Sequence, residues 1–208
     1  MNAEQALEAV GADIKRLTDT AFLVIKGSGR PDQPDTTNGK ITGNEPDGTE
    51  FHSLNGAGVG AWKWAKQDGS WQVIDGDTGW RAIESAALHQ GKLFFRRTAQ
   101  ANYVTAGGGP WGTITLRDSV PVPSRDIRLL TNNGIPDGWR TPVAILAPVT
   151  KDGFELAGTL LLSSTDDGNF LGIRGNPRND RNLIRLPMLV YPPADAWCSR
   201  LPEQAVSL

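Results

Sequence analysis

The sequence predicts a mainly β protein: an N-terminal coiled-coil helix, a small Trp-rich β neck and a C-terminal antiparallel β-sandwich head. Three observations lead there. Apolar residues recur at helical spacing only near the N-terminus. Beyond residue 49, short runs of strand-forming composition alternate with turns containing Gly, Pro, Asn and Asp. The 24 Gly and 14 Pro among 208 residues make the chain turn-rich throughout.

The helix comes first, over residues 1–26. Ala3, Leu7, Val10, Ile14, Leu17, Ala21 and Val24 follow one another in steps of four and three, a mean period of 3.5. So narrow a stripe drifts around a straight helix and is best buried by supercoiling with identical neighbours. Leu7, Val10, Ile14, Leu17, Ala21 and Val24 are therefore the expected oligomerisation residues. A helix packed on its own domain is the alternative, but such a helix usually wants a wider apolar face. Gly11 costs the helix about 1 kcal/mol relative to alanine, so parts further along must help hold an oligomer. The stripe itself does not decide between dimer and trimer.

Residues 27–86 read as linker and neck. The stretch from 27 to 48 contains three prolines and offers only Ile41 to a core; it reads as linker or extended loop. From residue 49 the pattern is strand-like. Val59, Ala61, Lys63 and Ala65 fall on one face, and Trp62, Trp64 and Lys66 on the other. Asp68-Gly69 is a tight-turn signal between two strands, and a second turn follows at 75–79. Trp62, Trp64, Trp71 and Trp80 lie in regular strand context and are expected in compact aromatic packing or buried against sister chains.

Residues 87–208 are expected to form the head. Strand candidates are Lys92–Arg97, Tyr103–Ala106, Gly112–Arg117, Ile127–Leu130, Pro142–Val149, Phe154–Ser164, Phe170–Arg174 and Leu183–Tyr191. Their turn-bounded spacing fits an antiparallel sandwich of about eight strands. The clearest hairpin joins Leu160–Ser164 to Phe170–Ile173 around Asp167-Gly168.

Composition excludes several functions. With 21 Lys+Arg, 23 Asp+Glu and a net charge of -2, nothing attracts the whole chain to nucleic acid or an anionic membrane. The charge is uneven: residues 1–87 carry -5 and residues 88–208 carry +3, with Arg supplying 11 of the 13 basic groups of the second part. One cysteine forms no intrachain disulfide and no Cys-based metal site, and the only histidines are His52 and His89. No metal or cofactor is expected. No apolar run approaches the ~20 residues of a membrane span, and no secretion signal opens the chain. The expectation is a soluble protein made in the cytoplasm, which reaches the outside of a cell only by lysis or within an assembly.

No motif for catalysis stands out. Neither histidine has a nucleophile elbow near it. The glycines of GAGVGAW precede a tryptophan strand rather than a phosphate-binding helix, so a bend or bulge explains them. Asp75/Asp77 and Asp166/Asp167 are close carboxylate pairs, but in glycine-containing turns aspartate serves its own backbone. The full calcium-loop pattern is absent. Trp111, Trp139 and Trp197 sit beside turns, where exposed indoles would stack on sugar rings.

Several stretches resemble a family. GAGVGAW (56–62), GSWQV (69–73) and GDTGWR (76–81) resemble a segment of minor tail proteins of phages that infect actinobacteria. LFFRR (93–97), IPDGWR (135–140) and GTLLLSSTDDGNFLGI (158–173) look similar to the head that follows it, and GADIKRL (11–17) to helices near the starts of phage fibre proteins. The terminal AWCSRLPEQAVSL has no counterpart in this resemblance. The resemblance implies a homotrimeric tail fibre or receptor-binding protein, located at the virion tail tip and assembled in the host cytoplasm. Residues 1–26 would dock on tail or baseplate proteins, and the head would bind host cell-wall polysaccharide without catalysis. The expected contacts are Trp111, Trp139, Arg140 and the loop residues Arg174, Asn176, Arg178, Asp180 and Arg181. Arg, Asn and Asp there can hydrogen-bond hydroxyls or pair with anionic wall polymers. A wall-glycan depolymerase and a purely structural tail component are the alternative functions.

Overall fold

The computed structural model describes residues 2–20, 23–107, 111–117, 126–130, 134–151, 155–165, 168–175, 183–202 and 205–206. Helix α1 (Ala3–Thr20) opens the chain. Asn2 and Gln5 cap it reciprocally: the Gln5 N–H donates to Asn2 Oδ1 at 2.9 Å, and the Asn2 N–H donates to Gln5 Oε1 at 3.2 Å.

The strands are β1 (Val24–Gly27), β2 (Glu50–Ser53), β3 (Ala61–Gln67), β4 (Ser70–Gly76), β5 (Trp80–Ile83), β6 (Leu88–Gln90), β7 (Leu93–Arg97) and β8 (Asn102–Ala106). They continue with β9 (Trp111–Leu116), β10 (Asp126–Leu130), β11 (Ile145–Lys151), β12 (Leu156–Thr165), β13 (Gly168–Gly175), β14 (Leu183–Pro187), β15 (Leu189–Tyr191) and β16 (Ala205–Val206). The protein is mainly β. Strands β1 to β4 form one sheet in chain order; a seven-stranded sheet runs β10-β13-β12-β11-β14-β9-β6, and a five-stranded sheet runs β15-β8-β7-β5-β16. Pairings within the two larger sheets are antiparallel. The β12–β13 hairpin has the expected register, with Leu160 opposite Ile173 and Ser163 opposite Phe170.

The short helix argues against a coiled coil. Its 18 residues fall short of the three to four heptads that such a seam needs. Val24 is not helical at all: the β-branched Val24 and Ile25 enter β1, which pairs in parallel with β2. Leu7 is 77% exposed and Val10 57%. The side chains of Ile14 and Leu17, and residue Ala21, lie outside the described part.

The expected linker is a packed loop. A 3-10 turn at Pro34–Thr37 is capped internally by the Thr37 hydroxyl, which also accepts the Ile41 N–H at 3.1 Å. Arg30, Thr37, Ile41 and Thr49 are all buried. Asp68 and Gly69 take the paired positive φ values, 49° and 73°, of the tight hairpin turn.

The tryptophans of the neck do not share one environment. The register of β3 slips between Ala61 and Trp64. The bulge separates Trp62 from Trp64, which simple alternation puts on one face: Trp64 is 1% exposed and Trp62 is 46% exposed. Trp71 and Trp80 are half-buried. Burying a side chain the size of Phe51 or Trp64 stabilises the fold by about 2–3 kcal/mol.

The GAGVGAW glycines make the expected bend, since Gly56, Gly58 and Gly60 all take positive φ, and Gly60 and Gly76 sit at crowded points. A Cβ on Gly60, at φ +72°, would stand 2.1 Å from the Asp77 carbonyl oxygen; one on Gly76 would stand 2.7 Å from the Trp197 ring. Strand pairing crosses the expected neck–head boundary, since β5 pairs with β7. One hydrophobic cluster runs from Ile41, Phe51 and Trp64 through Phe95, Leu162 and Ile184 to Trp197. The expected single strand over 183–191 is two strands in two sheets; Pro187 has no N–H to extend the first ladder. Among the described residues no helix is long and apolar enough to cross a membrane.

Candidate functional site

The IPDGWR turn is a structural knot. Trp139 is fully buried, so it offers no face for a sugar ring. Its carbonyl accepts the Tyr191 hydroxyl at 2.6 Å, and burial pushes the Tyr191 phenol pKa up. Arg97, 5% exposed, reaches across to the C-terminal segment. It donates to the Gly138 carbonyl at 2.6 Å, to Ala196 at 2.7 Å and to Asp195 at 2.8 Å. Arg140 is ion-paired with Asp137 and lies 3.6 Å from the Asp195 carboxylate. A hollow of about 630 Å³ opens beside this turn, lined by Ile83, Ile135, Pro136, Asp137, Arg200 and Leu201; it presents no aromatic ring.

Of the other expected contacts, only Arg174 has its side chain among the described residues. Arg174 stands exposed at the end of β13, opposite Asp126 and Thr159. Trp111 lies in β9, with its side chain outside the described part. Asn176, Arg178, Asp180 and Arg181 lie outside the described residues, as do Asp166 and Asp167. Asp75 is exposed, 4.0 Å from Lys63. Asp77 binds Arg96 through two charge-assisted hydrogen bonds. Partial burial would raise its pKa, but the Arg96 hydrogen bond, the Gly79 N–H and the Arg96 charge hold it below the usual value. These carboxylates serve surface ion pairing. Among the described residues no group of three or more His, Cys, Asp and Glu side chains could hold a metal ion.

The groove that combines aromatic and polar groups lies elsewhere. About 470 Å³ in volume, it is bounded by β3, the β4 edge strand, the 31–34 loop and the C-terminal segment. Trp64, Trp71 and Trp197 line it, with Asp32, Lys66, Ser70 and Gln72 supplying polar groups. The hairpin turn at Asp68-Gly69 sets β4 beside β3, and the Gly69 N–H is anchored on Asp47 Oδ1 at 3.0 Å. Trp71 is half-buried, while Ser70 and Gln72 are exposed.

Arg30 ties the groove together. Its guanidinium lies 5.4 Å from the Trp64 ring centroid and grips Asp32 at 3.0 and 2.7 Å. The same side chain donates to the Cys198 carbonyl at 2.7 Å, beside Trp197. Trp197 is fixed in turn: its indole N–H donates to the Val59 carbonyl at 3.0 Å, and Arg97 sits 4.9 Å from its ring. Lys66, 6% exposed, donates to the Gly43 carbonyl at 2.8 Å. The buried Trp64 indole N–H has no partner. Burial pushes the neighbouring Cys198 thiol up to about 11, against the pull of Arg97 and Arg30; the thiol is no nucleophile.

Sequence reading assigned Trp64 and Trp71 to the core and Asp32 to a linker. One advance signal was Trp197, expected beside a turn as a sugar-stacking ring although the structure leaves it only 7% exposed; the other was the polar alternation Ser70-Trp71-Gln72. The third ring arrives from a segment more than 120 residues away, through contacts that no local pattern encodes.

Comparison with protein-family models, curated proteins and solved structures gives no match.

Proposed function

We propose that the chain is a tail fibre or receptor-binding protein of a phage infecting actinobacteria, attaching the virion to host cell-wall saccharide. The observation that carries this is the groove lined by Trp64, Trp71 and Trp197 together with Asp32, Lys66, Ser70 and Gln72. Apolar ring faces beside a few placed polar groups are what a sugar needs, since each pyranose has an apolar face and a rim of hydroxyls. The motif resemblance supports the phage assignment. In this reading the protein works at the tail tip after assembly in the host cytoplasm. It is a homotrimer whose exposed Leu7 and Val10 take part in self-contact, and it meets tail or baseplate proteins through its N-terminus. The two large sheets form the sandwich head. Three weak sites held together gain avidity. It binds without catalysis, and engages neither nucleic acid nor the membrane interior.

Fluorescently labelled protein incubated with susceptible cells tests the reading. It predicts saturable adhesion to cells and to purified wall, no release of reducing sugar, and three chain masses by light scattering. Sugar release would establish the depolymerase instead. Failure to adhere to any susceptible cell would establish a purely structural role.

A further inference from the structure

Resting on the attachment reading above, we infer that the Trp64–Trp71–Trp197 groove selects an uncharged saccharide segment, with Trp71 as its stacking platform. Three observations converge. First, the rings are unequal. Trp64 and Trp197 are buried at 1% and 7% exposure, whereas Trp71 on the β4 edge is half-buried and flanked by exposed Ser70 and Gln72. Of the three rings only Trp71 presents an open part of its indole, with Lys66 opposite it in the β3–β4 register. Second, a cation is disfavoured. Two of the three rings already carry a guanidinium, Arg30 at 5.4 Å from Trp64 and Arg97 at 4.9 Å from Trp197, and a further positive charge meets repulsion there.

Third, among the described residues the cations at the groove are already engaged. Arg30 is matched by Asp32 and the Cys198 carbonyl, Arg97 by three carbonyls, and Lys66 by the Gly43 carbonyl. The charged side chains lining the groove are one acid, Asp32, and one base, Lys66. Among the described residues the buried Trp64 indole N–H finds no acceptor, and its ring lines a site of the volume a small ligand needs.

Hydrolysed host wall, split by anion exchange into neutral and anionic oligosaccharides, supplies the probes for calorimetric titration of the intact protein. The neutral fraction is expected to bind with an affinity that changes little between low and high salt. Trp71→Ala is expected to weaken it about tenfold, the scale of one lost stacking contact. Ser70→Arg, which fills the groove from an exposed position, should weaken it comparably and guards against misfolding of the first variant. Binding by the anionic fraction alone, falling steeply with salt, overturns the uncharged class and leaves attachment standing. Neutral binding unchanged in both folded variants overturns the groove as the site. If neither fraction nor intact wall binds, the attachment reading fails as well.

Discussion

The turn around Trp139 and the groove around Trp71 are made of the same ingredients, tryptophan beside arginine and aspartate in a glycine-bounded turn, and they have opposite exposure. At the turn, Arg97 and Tyr191 direct their donors at backbone carbonyls, and the indole is sealed beneath them. At the groove, Arg30 and Lys66 are also committed to carbonyls and Asp32, but the β4 edge leaves Trp71 partly open. Composition does not distinguish a structural tryptophan from an interaction platform. What distinguishes them is whether another chain segment closes over the ring, and here the C-terminal segment covers one site while forming only a wall of the other.

Truncation of the two rings should separate them most sharply. Trp139→Ala is expected to destabilise the protein by about 3–5 kcal/mol, as a large buried aromatic does, whereas Trp71→Ala, which removes a half-buried ring packed on the core, should cost about 1–2 kcal/mol. Urea denaturation of the two variants measures both. Arg97→Ala comes next. It removes three hydrogen bonds from a charged donor and should cost about 3 kcal/mol in the same experiment. Its loss should also weaken saccharide binding, because Trp197 loses part of its anchor, and this links the two regions.

The free thiol reports on the same junction. Cys198 is 1% exposed and its pKa is pushed up to about 11, so a thiol reagent at neutral pH should react only when the C-terminal segment opens. Labelling should accelerate strongly in Arg97→Ala and remain slow in Trp71→Ala.

A smaller effect concerns Asp77. Its folded pKa lies below the ordinary value of 3.8. Its stabilising contribution is therefore complete above that value and is lost as pH falls through the lower, folded pKa. Asp77→Asn should lower the urea midpoint at neutral pH and converge with the wild type in strong acid. It should leave saccharide binding unaltered at neutral pH, since neither Asp77 nor Arg96 lines the groove.

Much of the local structure was legible in the sequence. The Asp68-Gly69 hairpin, the β12–β13 pairing and the bend at the GAGVGAW glycines follow from turn chemistry and period-two patterning, which act over a few residues. The four-stranded sheet was mostly legible: β2, β3 and β4 were expected, but the parallel β1 was hidden behind a heptad that continues numerically into it. The heptad failed because Val24 and Ile25 prefer a strand once β2 offers its edge. The site was largely illegible. A bulge in β3 moved Trp64 inward and Trp62 outward, and period-two reading has no term for an extra residue. Trp197 reaches the groove through Arg30 and Arg97, whose partners are backbone carbonyls of a distant segment and leave no mark in its side chains.

The most direct test follows the seven indole N–H signals by two-dimensional NMR as neutral wall oligosaccharide is added. The account predicts that Trp71 and Trp64 shift progressively with ligand while Trp139 stays in place. A shift confined to Trp111 or Trp139, with Trp71 and Trp64 unmoved, would contradict it.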